Sequence, residues 1–227
     1  MPTGRLACAA MKRTLWMLCT VLAALCTGLP AAATATAAAT APSPDEADSP
    51  ADLLDRPARS WTFDRWIRTP PLTQESLRGK VVLLRWFTED CHYCQSTLPQ
   101  LEKLRARYGA QGLVVICVFH PKPQRHLSDK HILAVANRLG WSGPLAVDEH
   151  WSTLERWWFD GLPERNWTSV SFLMDRAGIV RWAHSGGEYH PSDDPRHARC
   201  ARQYADLDAV LQKLLAEEHA GNIRRGE

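Results

Sequence analysis

Val81–Phe87 is apolar except at Arg85, and it runs straight on to Cys91-His92-Tyr93-Cys94 and the stripe Leu98, Leu101, Leu104, Tyr108. A continuous apolar run of this length reads as a strand buried on both faces, and the stripe that follows has helical spacing. The two thiols therefore fall where a central strand hands over to a helix. A helix N-terminus offers unpaired N–H groups and partial positive charge, which stabilise a thiolate. Such settings lower a cysteine pKa from about 8.5 to roughly 3.5–7.5. Cys91 is then the exposed attacking sulfur and Cys94 the shielded, resolving one, the chemistry of thiol–disulfide exchange. Half of a zinc site and an inert structural disulfide share the C-x-x-C pattern. The zinc reading lacks a second C-x-x-C or H-x3-5-H at a suitable distance.

The rest of the chain predicts strands alternating with helices. Trp61–Trp66 reads as a short first strand, Leu113–Phe119 as a second buried strand and Leu145–Asp148 as a short one. Pro99 interrupts the donor series of the helix after the cysteines and predicts a kink. Ser128 caps a helix ending near Gly140, with Ile132, Leu133, Val135, Ala136 and Leu139 facing inward. His150–Phe159 predicts a short helix. Ser169–Asp175 and Ile179–His184 form a hairpin across Arg176-Ala177-Gly178, and Asp194-Pro195 opens a last helix striped by Tyr204, Leu207, Val210, Leu211, Leu214 and Leu215. The expected architecture is α/β, a mixed central sheet flanked by helices on both faces. The dithiol lies at the carboxyl end of the central strand.

Residues 1–33 read as a signal peptide: Lys12 and Arg13, the apolar Leu15–Leu29, then Ala31-Ala32-Ala33. An uncleaved membrane anchor is the alternative. Residues 34–58, rich in Ala, Thr, Pro, Asp and Ser, are expected as a flexible linker, 59–219 as the folded domain and 220–227 as a frayed tail. Export implies a periplasmic or otherwise exported protein in an oxidising compartment. Removing residues 1–33 takes Arg5, Lys12 and Arg13 from the 27 basic residues and none of the 25 acidic ones, leaving 24 against 25. That balance, without a basic stripe, argues against nucleic acid as a partner. Of seven cysteines, Cys91, Cys94, Cys117 and Cys200 remain. Cys117 reads as a buried core residue. Cys200 is open between an inert thiol, a redox neighbour and an intermolecular link.

Leu77–Leu104 (LRGKVVLLRWFTEDCHYCQSTLPQLEKL) and Phe172–Val180 (FLMDRAGIV) resemble thioredoxin-like proteins of the TlpA/ResA type, and the likeness extends more loosely over Trp61–Leu215. The resemblance implies a thioredoxin-like fold with a TlpA-type insert between Leu113 and Trp167. It also implies periplasmic, often membrane-tethered, exchange with protein thiols and disulfides, fed by an exported or membrane thiol donor. No cofactor is expected. Asp90 stands where the family usually has tryptophan, and its carboxylate opposes a thiolate at Cys91. Thr97 replaces a proton-handling glutamate; Glu89 is open between taking over that role and being a solvated surface acid. Ser169 falls on the family's cis-proline. A cis bond before serine costs about 2.5–4 kcal/mol, so Thr168–Ser169 is expected trans, with its amide and hydroxyl beside the sulfurs.

His92 and Tyr93 lie between the thiols, where a protonated imidazole stabilises the Cys91 thiolate and tyrosine shapes the rim. His184-Ser185-Gly186-Gly187-Glu188-Tyr189-His190 follows the last strand and reads as a polar turn or as metal ligands. Two further functions stay open beside exchange. One is a copper-binding module using Cys91, Cys94 and His190 or His184, since soft thiolates select Cu(I). The other is a thiol peroxidase, in which Thr88 matches a T-x-x-C spacing to Cys91 while Arg85 stands in place of the accompanying proline.

Overall fold

The structure is a computed structural model and describes residues 49–223. The expected signal peptide, residues 34–48 of the expected linker and residues 224–227 of the expected tail lie outside the described residues. Six strands form one mixed sheet: β1 (Arg65–Ile67), β2 (Val81–Phe87), β3 (Leu113–Phe119), β4 (Leu145–Val147), β5 (Ser171–Met174) and β6 (Val180–His184). They lie in the order β1-β4-β3-β2-β5-β6. β2 and β3 pair in parallel, as do β3 and β4, whereas β1, β5 and β6 join antiparallel. The helices are α1 (His92–Tyr108), α2 (Asp129–Arg138), α3 (Ser152–Leu154, continuing as a π-helical turn over Glu155–Phe159) and α4 (Ala198–Ile223). No helix among the described residues is long and apolar enough to cross a membrane.

Every residue of β2 is buried, because the sheet is covered on both sides. Strand side chains alternate between faces, so β2 feeds two cores. Val81, Leu83 and Phe87 pack with Leu98, Leu101 and Leu104 of α1, Ile132 and Val135 of α2, and Leu207 and Leu211 of α4. Val82, Leu84 and Trp86 pack on the other face with Phe63, Leu154, Trp157, Trp158 and Phe172. The expected sheet with helices on both faces is thus present, with three helices on one side and the tryptophan-rich α3 segment on the other. By the same alternation Arg85 shares the face of Leu83 and Phe87, toward α1. Cys117 is fully buried on β3 beside it, in register with Arg85.

Three differences from the sequence expectation have local causes. The first strand is displaced to Arg65–Ile67, because Trp61 and Phe63 stack with each other and the Trp61 ring tilts against Trp157. The predicted helix from His150 becomes one α turn followed by a wider π turn, which allows the adjacent Trp157 and Trp158 both to be buried. Its start is held by the buried Asp148, which accepts from the Thr153 and Leu154 N–H groups and from Trp86 Nε1. Residues 51–58, placed by composition in a flexible linker, instead form a 3₁₀ turn at Ala51–Leu53 and then bond to Gly178 and Val180, where β6 begins. Leu53 is buried, Asp55 N–H donates to Val180 O, Val180 N–H to Arg56 O and Ala58 N–H to Gly178 O. Two leucines and an unfilled sheet edge outweigh the polar composition there.

Two buried histidines make stability pH-dependent. Burial pushes His120 and His184 each down to about 3, so both stay neutral in the fold, whereas in the unfolded chain they protonate near 6.5. Their contribution is complete above pH 6.5 and is lost as pH falls toward 3. We expect the unfolding free energy to drop by about 1.4 kcal/mol per pH unit for each histidine in that window. Urea titrations of His120→Phe should show a correspondingly shallower slope.

Candidate active site

The two sulfurs lie at the mouth of the β2–α1 junction and are bonded to each other, with Sγ–Sγ 2.01 Å and Cα–Cα 5.2 Å. Cys91 is the N-cap of α1, and its Sγ accepts from the Cys94 N–H at 3.2 Å. This is the helix-end interaction that stabilises a thiolate. Cys94 is fully enclosed, whereas Cys91 keeps 8% exposure. Cys91, expected as an exposed sulfur, is itself buried, though less completely than Cys94, and it lines a pocket rather than standing on open surface. Thr88, Asp90, Tyr93, Lys122, Trp167 and Ser169 are among the residues lining it.

The Ser169 hydroxyl lies 3.3 Å from Cys91 Sγ and 3.7 Å from Cys94 Sγ. Disulfide sulfurs carry no proton, so the hydroxyl donates. The Thr168–Ser169 bond is trans; among the described residues Lys122–Pro123 is the cis bond. Thr168 is buried beside it. His92 and Tyr93 are both exposed, the two rings edge to face. Among the described residues Tyr93 and Trp167 are the exposed large apolar side chains, and their rings meet 5.6 Å apart. Trp167 lies close over Gly186, where an added Cβ would fall 2.3 Å from Trp167 Cβ.

Asp90 is exposed, and Glu89 is engaged elsewhere. The Glu89 carboxylate pairs with Arg125 and with His131 Nε2, and its backbone carbonyl accepts from Arg138. It is built into contacts with α2 and the loop before it. Thr97, at the position considered for an acid, is buried; its hydroxyl donates to Tyr93 O and accepts from the Tyr189 N–H.

Sequence reasoning gave no function to Arg85, which the fold brings to the sulfurs. It is fully buried, with Nη2 3.8 Å from Cys94 Sγ and 2.8 Å from Gly187 O, Nη1 3.3 Å from Ser171 Oγ, and its guanidinium 5.5 Å from the Tyr189 ring centre. No carboxylate among the described residues lies within ion-pair distance of it. Burial draws the guanidinium below its usual range, but arginine remains protonated in proteins. Burial also raises Tyr189 to about 12 and Cys117 well above the ordinary thiol value, leaving both neutral. The one interruption in the apolar β2 run was therefore the available signal: a charge in a doubly covered strand must point at something.

The histidines of the last loop part company. His184 is buried against Trp182 and Tyr189. His190 gathers with Glu188, His197 and Cys200, apart from the copper set expected with Cys91 and Cys94. Burial and the Glu188 carboxylate raise the Cys200 thiol.

A family model described as AhpC/TSA matches residues 65–183, just over half of the chain. The chain belongs to the AhpC/TSA family. It is 31% identical over 132 residues to the protein DipZ of Mycobacterium tuberculosis, covering 56% of this chain and 18% of DipZ. To the thiol-disulfide oxidoreductase ResA of Halalkalibacterium halodurans it is 26% identical over 111 residues, 49% of this chain and 57% of ResA. The chain thus spans under a fifth of DipZ and little more than half of ResA. Among solved structures, a putative protein disulfide isomerase from Bacteroides thetaiotaomicron superposes with TM-score 0.57 at 20% identity, over 74% of this chain and 94% of that one. That likeness establishes the thioredoxin-like fold expected from the sequence.

A cation beside Cys94 favours the reduced, thiolate-bearing state over the uncharged disulfide. An opposite charge at such range is worth 1–3 pKa units, or roughly 30–90 mV for a two-electron couple. Arg85→Met should therefore make the Cys91–Cys94 couple more reducing by about that much, measured against a glutathione redox series.

Proposed function

We propose that this chain is a thiol–disulfide oxidoreductase acting on exported protein substrates through Cys91 and Cys94. The single observation that carries the reading is the geometry of the pair: one sulfur that caps a helix and lines a pocket, bonded to a fully enclosed one beside a buried cation. In the dithiol form, the Cys91 thiolate attacks one sulfur of a substrate disulfide and expels the other as a thiolate. The resulting mixed disulfide is attacked at Cys91 Sγ by the Cys94 thiolate, which Arg85 stabilises. The second substrate thiolate leaves, Cys91–Cys94 is bonded, and two electrons have passed to the substrate. A thiol donor returns them, and the whole sequence runs in reverse for an oxidant.

The residues around the pair supply the rest of the role. Ser169 offers its hydroxyl to whichever sulfur carries charge. Tyr93 and Trp167 give the pocket an apolar rim suited to side chains flanking a substrate cystine, as buried aromatic anchors do at protein interfaces. Export rests on the signal-like Met1–Ala33, and a retained anchor would tether the same domain.

One observation favours a second activity, reduction of peroxide. The Thr88 hydroxyl is buried without a hydrogen-bond partner and lines the pocket that reaches Cys91, three residues before it, in a chain of the AhpC/TSA family. Consumption of hydrogen peroxide by wild type and not by Cys91→Ser would establish it.

Cys94→Ser should accumulate mixed disulfides with exported proteins and Cys91→Ser none, read by mass spectrometry of non-reduced samples. The absence of adducts on both variants would reject exchange. Trp167→Ala should raise KM for a protein disulfide about tenfold, the scale of losing one aromatic anchor, while reduction of the pair by dithiothreitol keeps its rate.

A further inference from the structure

We propose that Glu188, His190, His197 and Cys200 form a binding site for a divalent transition-metal ion of the Zn2+ class, distinct from the Cys91–Cys94 pair. The chain prepares these four from two segments. Glu188 and His190 are two residues apart in the loop after β6, and their ligand atoms lie on the same side of it. His197 and Cys200 are three apart across the start of α4, and so share one helical face. Their ligand atoms all lie within 4.8 Å of one another.

The Cys200 thiol donates to the Glu188 carboxylate, but both histidine nitrogens stand too far from that carboxylate for a hydrogen bond and at a distance right for an intervening ion. The Glu188 carboxylate is 3.7 Å from His190 Nε2, 3.4 Å from His197 Nδ1 and 3.9 Å from Cys200 Sγ. Nitrogen–oxygen hydrogen bonds run at 2.7–3.2 Å. Zinc bonds of about 2.0–2.3 Å in a tetrahedron separate neighbouring ligand atoms by about 3.3–3.6 Å. The 4.8 Å limit asks for inward movement of little more than about 1 Å, within reach of the half-exposed His197 ring.

An independent feature points the same way. His190 Nδ1 lies 3.0 Å from the Pro191 carbonyl, which can only accept, so the ring proton sits on Nδ1. That leaves the lone pair on Nε2, which is buried and has no hydrogen-bond partner. Fixing a ligand histidine through its other nitrogen is how metal sites orient imidazoles. Two imidazoles, a thiolate and a carboxylate suit Zn2+. On binding, the Cys200 thiol gives its proton to water and the sulfur bonds the ion, with no change of oxidation state. The ion would fasten the 186–190 loop to α4. Between the two ligands of that loop lies Tyr189, which packs on Arg85, and just before them Gly187, whose carbonyl accepts from it.

The test uses the full chain with Cys91–Cys94 oxidised, so that those sulfurs are bonded to each other. Titration calorimetry with zinc chloride should show one equivalent bound, and cobalt chloride should give a thiolate-to-metal absorption band. Cys200→Ser should abolish the band, and His197→Ala, a largely surface change, should weaken zinc binding at least tenfold. The Cys91→Ser, Cys94→Ser double variant should bind zinc like wild type. The proposal is overturned if the oxidised protein binds neither ion, or if band and affinity survive Cys200→Ser and His197→Ala. Should Cys200→Ser fail to fold, His197→Ala decides alone.

Discussion

A guanidinium enclosed in an apolar layer is the constraint around which the rest of this site is arranged. Arg85 stands in the central strand, covered on both faces, and taking its charge from water costs several kcal/mol before any compensation. The compensation is assembled from neutral groups: the Gly187 carbonyl, the Ser171 hydroxyl, the face of the Tyr189 ring and the sulfur of Cys94. Ser171 is in turn bonded to the Tyr189 hydroxyl, and the Tyr189 amide to Thr97 in the first turns of α1. One charge thus ties β2, β5, α1 and the loop after β6 into a single polar seam behind the sulfurs. No carboxylate among the described residues shares it, so that charge responds to whatever negative charge arises at Cys94.

The opposite side of the pair is governed by different forces. Cys91 is served by the backbone of its own helix and by the Ser169 hydroxyl, and it opens toward Tyr93 and Trp167. Exchange needs two sulfurs that are chemically alike but unequally placed. Here the inequality comes from the junction itself. The N-cap position faces the pocket, and the residue three further on turns inward onto Arg85.

Much of this was legible in the residues. The buried β2 and β3, the C-x-x-C at a helix start, the Ser128 cap and the stripe of the last helix were all written in periodicity and capping chemistry, and local rules decide them. What escaped depended on contacts between distant segments. Composition assigned residues 51–58 to a linker because it cannot register an empty sheet edge waiting at β6. Glu89 resembled a candidate proton carrier in sequence, yet Arg125 and His131, more than thirty residues away, claim its carboxylate. Arg85 was visible as a lone charge, but only the pairing of β2 with α1 says which atom it confronts. Ser169 was the reverse case, since the alignment of one residue with the family's proline foretold both a trans bond and a hydroxyl against the sulfurs.

The segment bonded to the start of β6 has a bearing on the behaviour of the molecule in concentrated solution. Bare outer strands present rows of unanswered amides and carbonyls that recruit the same strands of other molecules. Residues 55–58 occupy part of that row with three backbone bonds, ending in the bridge between Pro57 and Ile179. A proline there offers no amide of its own to continue the ladder. The chain's own lead-in therefore works as a selvedge at the start of β6, where it keeps the fabric from knitting onto its neighbours.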